Sequence, residues 1–173
     1  MSEIAELAGV GVATLYRHFP TRQELLAALT YRSFNLALEH ARDAAAEQQP
    51  AIESLRRFFE QTIERHQELI LPLHGGPVFE DEETTRLRAR IREALEEVLA
   101  RGRKEGTVRD DVTAEDIVVT GALLAQPLPN LPDWDHVARR QAHVFLAGLG
   151  ANHDVRLPDR RAAPAATAID ASA

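Results

Sequence analysis

The stretch that decides the fold is MSEIAELAGVGVATLYRHFPTRQELLAAL, residues 1–29. Ile4 and Leu7 lie at helical spacing, and Gly9 follows them as the kind of residue that ends a helix in the left-handed conformation. The apolar pattern then resumes and predicts a second short helix over about residues 12–18. Two short helices joined by a glycine-containing turn form the helix-turn-helix, a DNA-binding unit.

A longer helix is predicted immediately after this unit. Pro20 has no backbone N–H, so it stops the second helix. Thr21, followed three residues later by Glu24, has the pattern of a capping box that opens the next helix, which begins TRQELLAAL.

The segment AELAGVGVATLYRHFPTRQELL, residues 5–26, resembles the DNA-binding domain of the tetracycline-repressor (TetR) family of bacterial regulators. The family signature is a GVS-like turn, a T-L-Y-x-H-F recognition helix and an S/T-K-E-E-L cap. The rest of the chain resembles the family in being helical and of suitable length. The resemblance implies a homodimeric regulator, most often a repressor, that binds a double-stranded DNA operator and leaves it when a small-molecule effector binds.

The resemblance also implies which side chains contact DNA. Those facing base edges or sugars are Val12, Ala13, Thr14 and His18. Those facing phosphates are Tyr16 and Arg22, while Arg17 can face either. Hydroxyl and imidazole groups can read base edges in the major groove, and methyl groups can touch thymine. Arginine and tyrosine add bonds to phosphate that orient the protein.

The segment departs from the family pattern at two points. Gly11 stands where family members usually have a serine that caps the recognition helix and touches phosphate. The family also has a helix before this segment, whereas Met1 falls at the junction into the second helix, so we interpret the DNA-binding domain as N-terminally truncated. We expect the missing helix to cover Ile4, Leu7, Leu15 and Phe19 and to be lost through a misplaced start codon. The alternative is a shortened remnant that dimerises without binding DNA.

The composition indicates a folded cytoplasmic protein. Hydrophobic residues make up 45% of the 173 residues, and there is no cysteine, which excludes thiol catalysis and cysteine zinc sites. No apolar run is long enough to span a membrane, and no signal segment is evident. The net charge of -7 and the balanced charges of residues 1–35 make the DNA-binding segment electrostatically weak, which is the best internal argument against DNA binding.

Helical periodicity continues beyond the first segment and makes the chain all-α. The predicted helices cover about residues 21–49, 51–71, 82–105, 113–128 and 133–149. We therefore divide the chain into a helix-turn-helix segment, a helical effector-binding and dimerisation domain, and a disordered tail poor in large apolar residues. These three parts are residues 1–29, 30–150 and 151–173.

The resemblance places an apolar effector pocket among the helices of residues 51–126 and the dimer interface in residues 113–149. The predicted pocket residues are Phe59, Ile63, His66 and Leu123. Because aliphatic stripes look alike whether they enclose a ligand or a core, the alternative is that these stripes only close the monomer core.

Enzyme and metal chemistry has little support in the sequence. The acidic residues 80–83 near His74 have the pattern of a solvated helix start, since no H-E-x-x-H pair accompanies them. Residues 133–136, Asp-Trp-Asp-His, resemble one Glu-x-x-His motif with aspartate in place of glutamate, and one such motif is too little for a di-iron site. No nucleophile elbow, phosphate loop or dinucleotide fingerprint is present. We predict no metal and no cofactor, and a small helical enzyme remains the least supported alternative.

Overall fold

The computed structural model describes residues 1–69, 81–150 and Leu157. This part of the chain contains α-helices and one 3₁₀ turn, His66–Glu68, but no strand, which confirms the all-α prediction. The helices are α1 Ser2–Leu7, α2 Val12–His18, α3 Arg22–Ala46, α4 Ala51–Glu64, α5 Glu82–Glu105, α6 Ala114–Leu124 and α7 Trp134–Gly148.

The main core lies between α3, α4, α5, α6 and α7, where each helix contributes an apolar stripe. Its largest fully buried side chains include Leu55, Phe59, Ile63, Leu87, Leu95, Leu99 and Ile117. Phe59 lies at the centre of an aromatic group, with its ring 5.5 Å from Phe58 and 5.8 Å from Phe145. Edge-on aromatic contacts at these separations add to the stabilisation that burial provides.

Side chains of α5 form hydrogen bonds with backbone groups at the end of α3 and the start of α4. Arg101 donates to the carbonyls of Ala44 and Ala45 at the end of α3, at 3.3 and 3.2 Å. Glu105 accepts the backbone N–H of Ala51 at 2.9 Å, at the start of α4, where the N-cap Pro50 offers no side-chain acceptor. Because helix ends leave backbone groups without partners, these contacts fix α3 and α4 against α5.

The helix predicted over residues 51–71 is shorter in the structure, because α4 ends at Glu64 and the 3₁₀ turn follows. The Ser33 hydroxyl donates to the carbonyl of Glu68 at 3.2 Å, and Arg32 and Arg65 bind the Glu68 carboxylate at 2.7 and 2.9 Å. The contacts of Glu68 with Arg32 and Ser33 are tertiary and hold the 3₁₀ turn against α3. Residues 70 and 71 lie outside the described part.

The boundaries of α5 agree closely with the prediction from the sequence. Residues 82–105 form α5 as predicted, with Asp81 and Thr84 in a capping box and Gly106 left-handed at the C-cap. Helix α6 also begins at a cap, because Asp116 accepts the N–H and hydroxyl of Thr113, both at 2.8 Å. Helices α3 and α6 end earlier than predicted, at residues 46 and 124, and α7 ends at Gly148.

Several sequence-based expectations concern residues that the structure does not describe. His74 and Glu80 of the acidic segment lie outside the described part, as do residues 151–156 and 158–173 of the predicted tail. The proposed domain boundary after residue 29 falls within α3, so this helix belongs to both parts. In residues 1–69 and 81–150, no helix has the length and apolar content needed to cross a membrane, and no cluster of potential metal ligands occurs.

Candidate nucleic-acid interface

The turn between α1 and α2 depends on Gly9, which adopts a left-handed conformation with φ of +66°. This conformation lets the N–H of Gly9 reach the carbonyl of Glu6 and the N–H of Val10 reach that of Ala5, both at 3.0 Å. The turn therefore satisfies carbonyls at the end of α1 while it redirects the chain. A residue with a Cβ would be strained here.

Helix α2 begins at an N-cap without a side chain. Gly11 is extended, with φ of −67° and ψ of 140°, and its carbonyl accepts the N–H groups of Thr14 and Leu15 at 2.9 and 3.1 Å. The helix thus starts in the usual geometry, but it lacks the oxygen that a serine cap would supply to the first free N–H groups.

Most of the residues predicted to contact DNA lie on the outward face of α2, and Arg22 lies at the start of α3. Leu15 is only 8% exposed and anchors α2 on its inner side. Phe19 is half-buried. Among the predicted contact residues, Thr14 is half-buried, and the exposed ones are Val12, Ala13, Tyr16, Arg17, His18 and Arg22.

The polar groups of this face are available to an external partner. In the described residues, the side chains of Tyr16, Arg17 and Arg22 take part in no hydrogen bond or ion pair. The His18 ring lies 6.5 Å from the Phe19 ring, in a tilted arrangement. The face can therefore donate hydrogen bonds without first breaking internal ones.

The start of α3 fixes the angle at which the chain leaves α2. The Thr21 hydroxyl accepts the N–H of Glu24 at 3.1 Å, which is the predicted cap. The Glu24 carboxylate accepts the Thr21 hydroxyl at 3.2 Å, where a full capping box would have it accept the Thr21 backbone N–H. The exposed carboxylates of Glu3, Glu6 and Glu24 offset the cationic side chains of this region.

Helix α1 presents an apolar surface of its own. Leu7 is 84% exposed, and Ile4 and Val10 are also exposed. We expected a preceding helix to cover four apolar residues. Within the described residues, Leu15 and Phe19 are already at least half-buried, whereas Ile4 and Leu7 are exposed.

The predicted pocket residues do not share one environment. Phe59 and Ile63 are fully buried in the core, and His66 lies at its edge, with its Nδ1 2.8 Å from the carbonyl of Ile63 and 3.6 Å from Asp135. Leu123 is 55% exposed on the outer side of α6. Gly121 lies on the inner side of the same helix, because a Cβ at this position would be 3.3 Å from Phe58. Leu123 therefore lies on the opposite side of α6 from the core that contains the other residues.

Helices α6 and α7 expose large apolar side chains on their outer side. Leu123 and Val119 lie one turn apart on α6, and Val144 on α7 is 58% exposed. We call the surface formed by these three residues the α6–α7 surface. The sequence predicted that this part of the chain is apolar but not which of its apolar residues face outward.

Two family models match separate parts of the chain. Residues 1–29 match the family of bacterial regulatory proteins named tetR. Residues 49–151, more than half of the chain, match the C-terminal domain of SbtR-like transcriptional regulators. No curated protein matches the chain.

Solved structures of regulators have the same fold. The chain is similar to the TetR family regulator PfmR from Thermus thermophilus, with a TM-score of 0.64 and 22% identity over 88% of each chain. It is similar to the ketosteroid regulator KstR2 of Mycobacterium tuberculosis, with a TM-score of 0.65 and 21% identity over 87% of this chain and 84% of that one. A TetR protein from Mycobacterium vanbaalenii is 30% identical, with a TM-score of 0.55, over 86% of this chain and 81% of that one.

These matches confirm the predicted fold class and the resemblance on which the sequence interpretation rested. Members of the matched families are transcriptional regulators and not enzymes, so the enzyme alternative is excluded. The chain belongs to the TetR family of bacterial transcriptional regulators.

Proposed function

We propose that this protein is a homodimeric repressor that binds a DNA operator through α2 and is released from it by a small-molecule effector. The observation that carries the proposal is the outward face of α2, whose Tyr16 and Arg17 side chains are exposed and take part in no bond within the described residues. A short recognition helix anchored by Leu15 and open on its other side suits insertion into the major groove.

The proposed contacts divide into specifying and positioning groups. Those that specify sequence, by facing base edges or sugars, are Val12, Ala13, Thr14 and His18. Those that position the protein on phosphates are Tyr16 and Arg22, and Arg17 serves either purpose. The division follows from the chemistry of the groups, since base edges carry the sequence information and phosphates carry charge alone.

Dimerisation is proposed to use the α6–α7 surface. Val119, Leu123 and Val144 leave apolar area in water on the two helices that close the protein at its C-terminal side. Full burial of an exposed side chain of this size contributes roughly 1.5 to 3 kcal/mol. Each of these three is 38–58% exposed, so its burial in a dimer would contribute part of that free energy. A symmetric dimer would bury the same surface on both protomers and place two copies of α2 on one operator.

The effector is proposed to act by shifting populations between two arrangements of the dimer. It must bind the arrangement that does not fit DNA more tightly, and a coupling of about 1 to 3 kcal/mol would weaken operator binding roughly 5- to 150-fold. Phe59, Ile63 and His66 are the proposed effector contacts, because they combine apolar side chains with one polar ring. Leu123, proposed for this site from the sequence, is better assigned to the α6–α7 surface.

We retain the division into residues 1–29, 30–150 and 151–173 as a proposal about function. The first part contacts DNA, the second binds effector and partner, and the third is the segment that the sequence analysis set apart as a tail. Helix α3 joins the first two parts without interruption, so it would transmit changes in the second part to α2.

The test is a fluorescence-anisotropy titration of the protein against DNA from upstream of its own gene, with random DNA alongside. We expect specific, salt-sensitive binding that Tyr16→Ala and Arg17→Ala each weaken by at least 10-fold, roughly 1.4 kcal/mol. Arg90→Ala is the matched control, because Arg90 is an exposed arginine on α5, remote in sequence from the proposed interface.

Each outcome has a defined meaning. Equal affinity of wild type for operator and random DNA would contradict sequence-specific binding. A stable dimer without any DNA binding would favour the alternative of a dimerising remnant. Loss of affinity in Arg90→Ala equal to that in Arg17→Ala would contradict the assignment of the interface to α2.

A further inference from the structure

Helix α3 is the element that connects the proposed DNA-binding face to the rest of the protein. In the described residues, α1 and α2 pack against each other, and neither has extensive contacts with α4–α7. Helix α3, in contrast, packs against both α4 and α5. Because α3 runs without a break from Arg22 to Ala46, the direction of its first turns determines where α2 lies relative to the other helices.

Four consecutive residues of α3, 31–34, hold this helix against its neighbours, and we call them the anchor segment. Arg32 binds the Glu68 carboxylate of the 3₁₀ turn at 2.7 Å, and the Ser33 hydroxyl donates to the Glu68 carbonyl at 3.2 Å. Among the described residues, nothing in α3 before the anchor segment forms a hydrogen bond or ion pair with α4–α7. The anchor segment is therefore the first place where polar side chains fix the direction of α3.

Tyr31, the residue of the anchor segment nearest to α2, is tied to the start of α5. Its hydroxyl donates to the carboxylate of Asp81, the N-cap residue of α5. The same carboxylate accepts the N–H and the hydroxyl of Thr84 at 2.8 and 3.0 Å, so α5 fixes its position. The Thr84 N–H and the Tyr31 hydroxyl hold the pKa of the Asp81 carboxyl below its ordinary value, so the acceptor is charged at neutral pH. One turn further along α3, the Phe34 ring lies 5.2 Å from the Arg88 guanidinium of α5.

The part of α3 before the anchor segment is long enough to enlarge a small tilt. From Tyr31 back to Arg22 the helix extends about 13.5 Å, at about 1.5 Å per residue. A tilt of about 5° at Tyr31 would move the start of α3, and α2 with it, by about 1.2 Å. Opposite movements in two protomers add to about 2.4 Å, which is close to the roughly 3.4 Å between successive phosphates of one DNA strand. The tilt of α3 therefore determines which half-site spacing two copies of α2 can fit.

We propose that Tyr31 is a positioning residue for operator recognition, because its hydrogen bond to Asp81 fixes the tilt of α3 and so selects the half-site spacing at which a dimer binds. This inference rests on the proposed function and deepens it, since it assigns part of the operator specificity to a residue that does not touch DNA. Loss of the Tyr31 hydroxyl should alter the discrimination between spacings, whereas loss of a DNA contact should weaken binding at every spacing alike.

The first test uses operator DNA from upstream of the gene, with one base pair inserted or deleted between the half-sites. We expect wild type to prefer one spacing and Tyr31→Phe to reduce that preference by roughly 3-fold or more, the scale of one hydrogen bond. Tyr16→Phe is the matched control, because it removes a hydroxyl from a proposed phosphate contact and should weaken all spacings by one common factor. Asp81→Ser keeps an N-cap side chain for α5 but removes the carboxylate, so it should reproduce Tyr31→Phe, and the double variant should add nothing further.

The second test needs no DNA. The chain contains no cysteine, so spin labels can be attached at Ala13→Cys on α2 and Glu97→Cys on α5, both exposed positions. Pulsed electron resonance, with unlabelled protein in excess, then measures the distance between these helices within one protomer. We expect one narrow distance distribution with Tyr31 present and a broader or displaced one in Tyr31→Phe. Circular dichroism checks that each variant retains its helices.

The two tests separate this inference from the proposed function. An unchanged distance distribution in Tyr31→Phe would overturn the inference. Equal weakening at every spacing in Tyr31→Phe, or a loss of spacing preference in Tyr16→Phe as large as in Tyr31→Phe, would also overturn it, although operator binding itself would stand. A changed distribution in a protein that binds no operator would confirm that Tyr31 positions α2 but would contradict both the proposed function and the selection of spacing.

Discussion

At the residue scale, Gly11 is a weak point of the DNA-binding unit because it caps α2 without a side chain. A Cβ at this position would lie 3.7 Å from the Thr14 hydroxyl oxygen, which is ordinary contact, and φ of −67° suits any residue. We predict that Gly11→Ser stabilises the protein by a few tenths of a kcal/mol, since serine caps slightly better than glycine. Urea unfolding monitored by circular dichroism measures the change.

The control for this prediction is Gly11→Ala, which adds the same Cβ without the oxygen. Alanine is a much poorer N-cap than glycine, so the alanine variant should be less stable than wild type. Equal midpoints for the serine and alanine variants would show that the capping oxygen has no effect here.

His40 is a buried titratable residue of α3, and its Nδ1 has no hydrogen-bond partner in the described residues. Burial lowers the pKa of the His40 imidazole below its ordinary value, and the positive charge of Arg65 lowers it further. The carboxylates of Glu39, Asp43 and Glu68 oppose this shift but do not reverse it. The folded protein therefore holds His40 neutral at a pH where the unfolded chain protonates it.

A pH dependence of stability follows from this shift. The pKa of His40 is lower in the folded state than in the unfolded state. The contribution of neutral His40 to the free energy of unfolding is therefore fully present above the unfolded pKa of about 6.5, and it is lost as the pH falls below that value. We predict that the free energy of unfolding declines from about pH 7 to pH 5 and that His40→Gln reduces this slope. His143→Gln, which alters an exposed histidine on α7, should leave the slope unchanged. Parallel slopes for wild type and His40→Gln would contradict the prediction.

At the scale of elements, the start of α4 depends on a side chain from a different helix. Glu105 of α5 accepts the N–H of Ala51 and so acts as a cap that is distant in sequence. We predict that Glu105→Ala lowers the free energy of unfolding by about 1 kcal/mol, the usual effect of removing an N-cap. Chemical denaturation measures it, with Glu97→Ala as the control because Glu97 is exposed on the same helix. An equal loss in both variants would show that the hydrogen bond to Ala51 is not the cause.

The accuracy of the predicted elements varies with the locality of their signals. Helix α5 was predicted to its end residues, because its cap and Gly106 lie next to it in sequence. The end of α4 was missed, because the contacts of Glu68 with Arg32 and Ser33 join residues 36 and 35 positions apart. Sequence periodicity reports local preference, and it carries no information about such distant partners.

At the scale of the whole molecule, the negative net charge of -7 makes the DNA contacts strongly dependent on a few cationic side chains. We predict that Arg22→Ala lowers the slope of log K against log salt by about 0.9 per protomer, because one phosphate contact is lost. Anisotropy titrations at several salt concentrations measure the slope. Arg90→Ala should leave it unchanged, and an unaltered slope in Arg22→Ala would show that Arg22 does not contact phosphate.

The sequence by itself determined the helix-turn-helix, because its signals are local: Gly9 needs its left-handed turn, Pro20 stops α2 and Thr21 caps α3. It also determined the all-α class. Only the tertiary structure decided which apolar side chains of α6 are core and which are surface. Ile117 and Leu124 are buried while Val119 and Leu123 are exposed, although all four are aliphatic. A helix that is apolar on both sides gives no periodic signal, so the packing of its neighbours alone chooses its inner face.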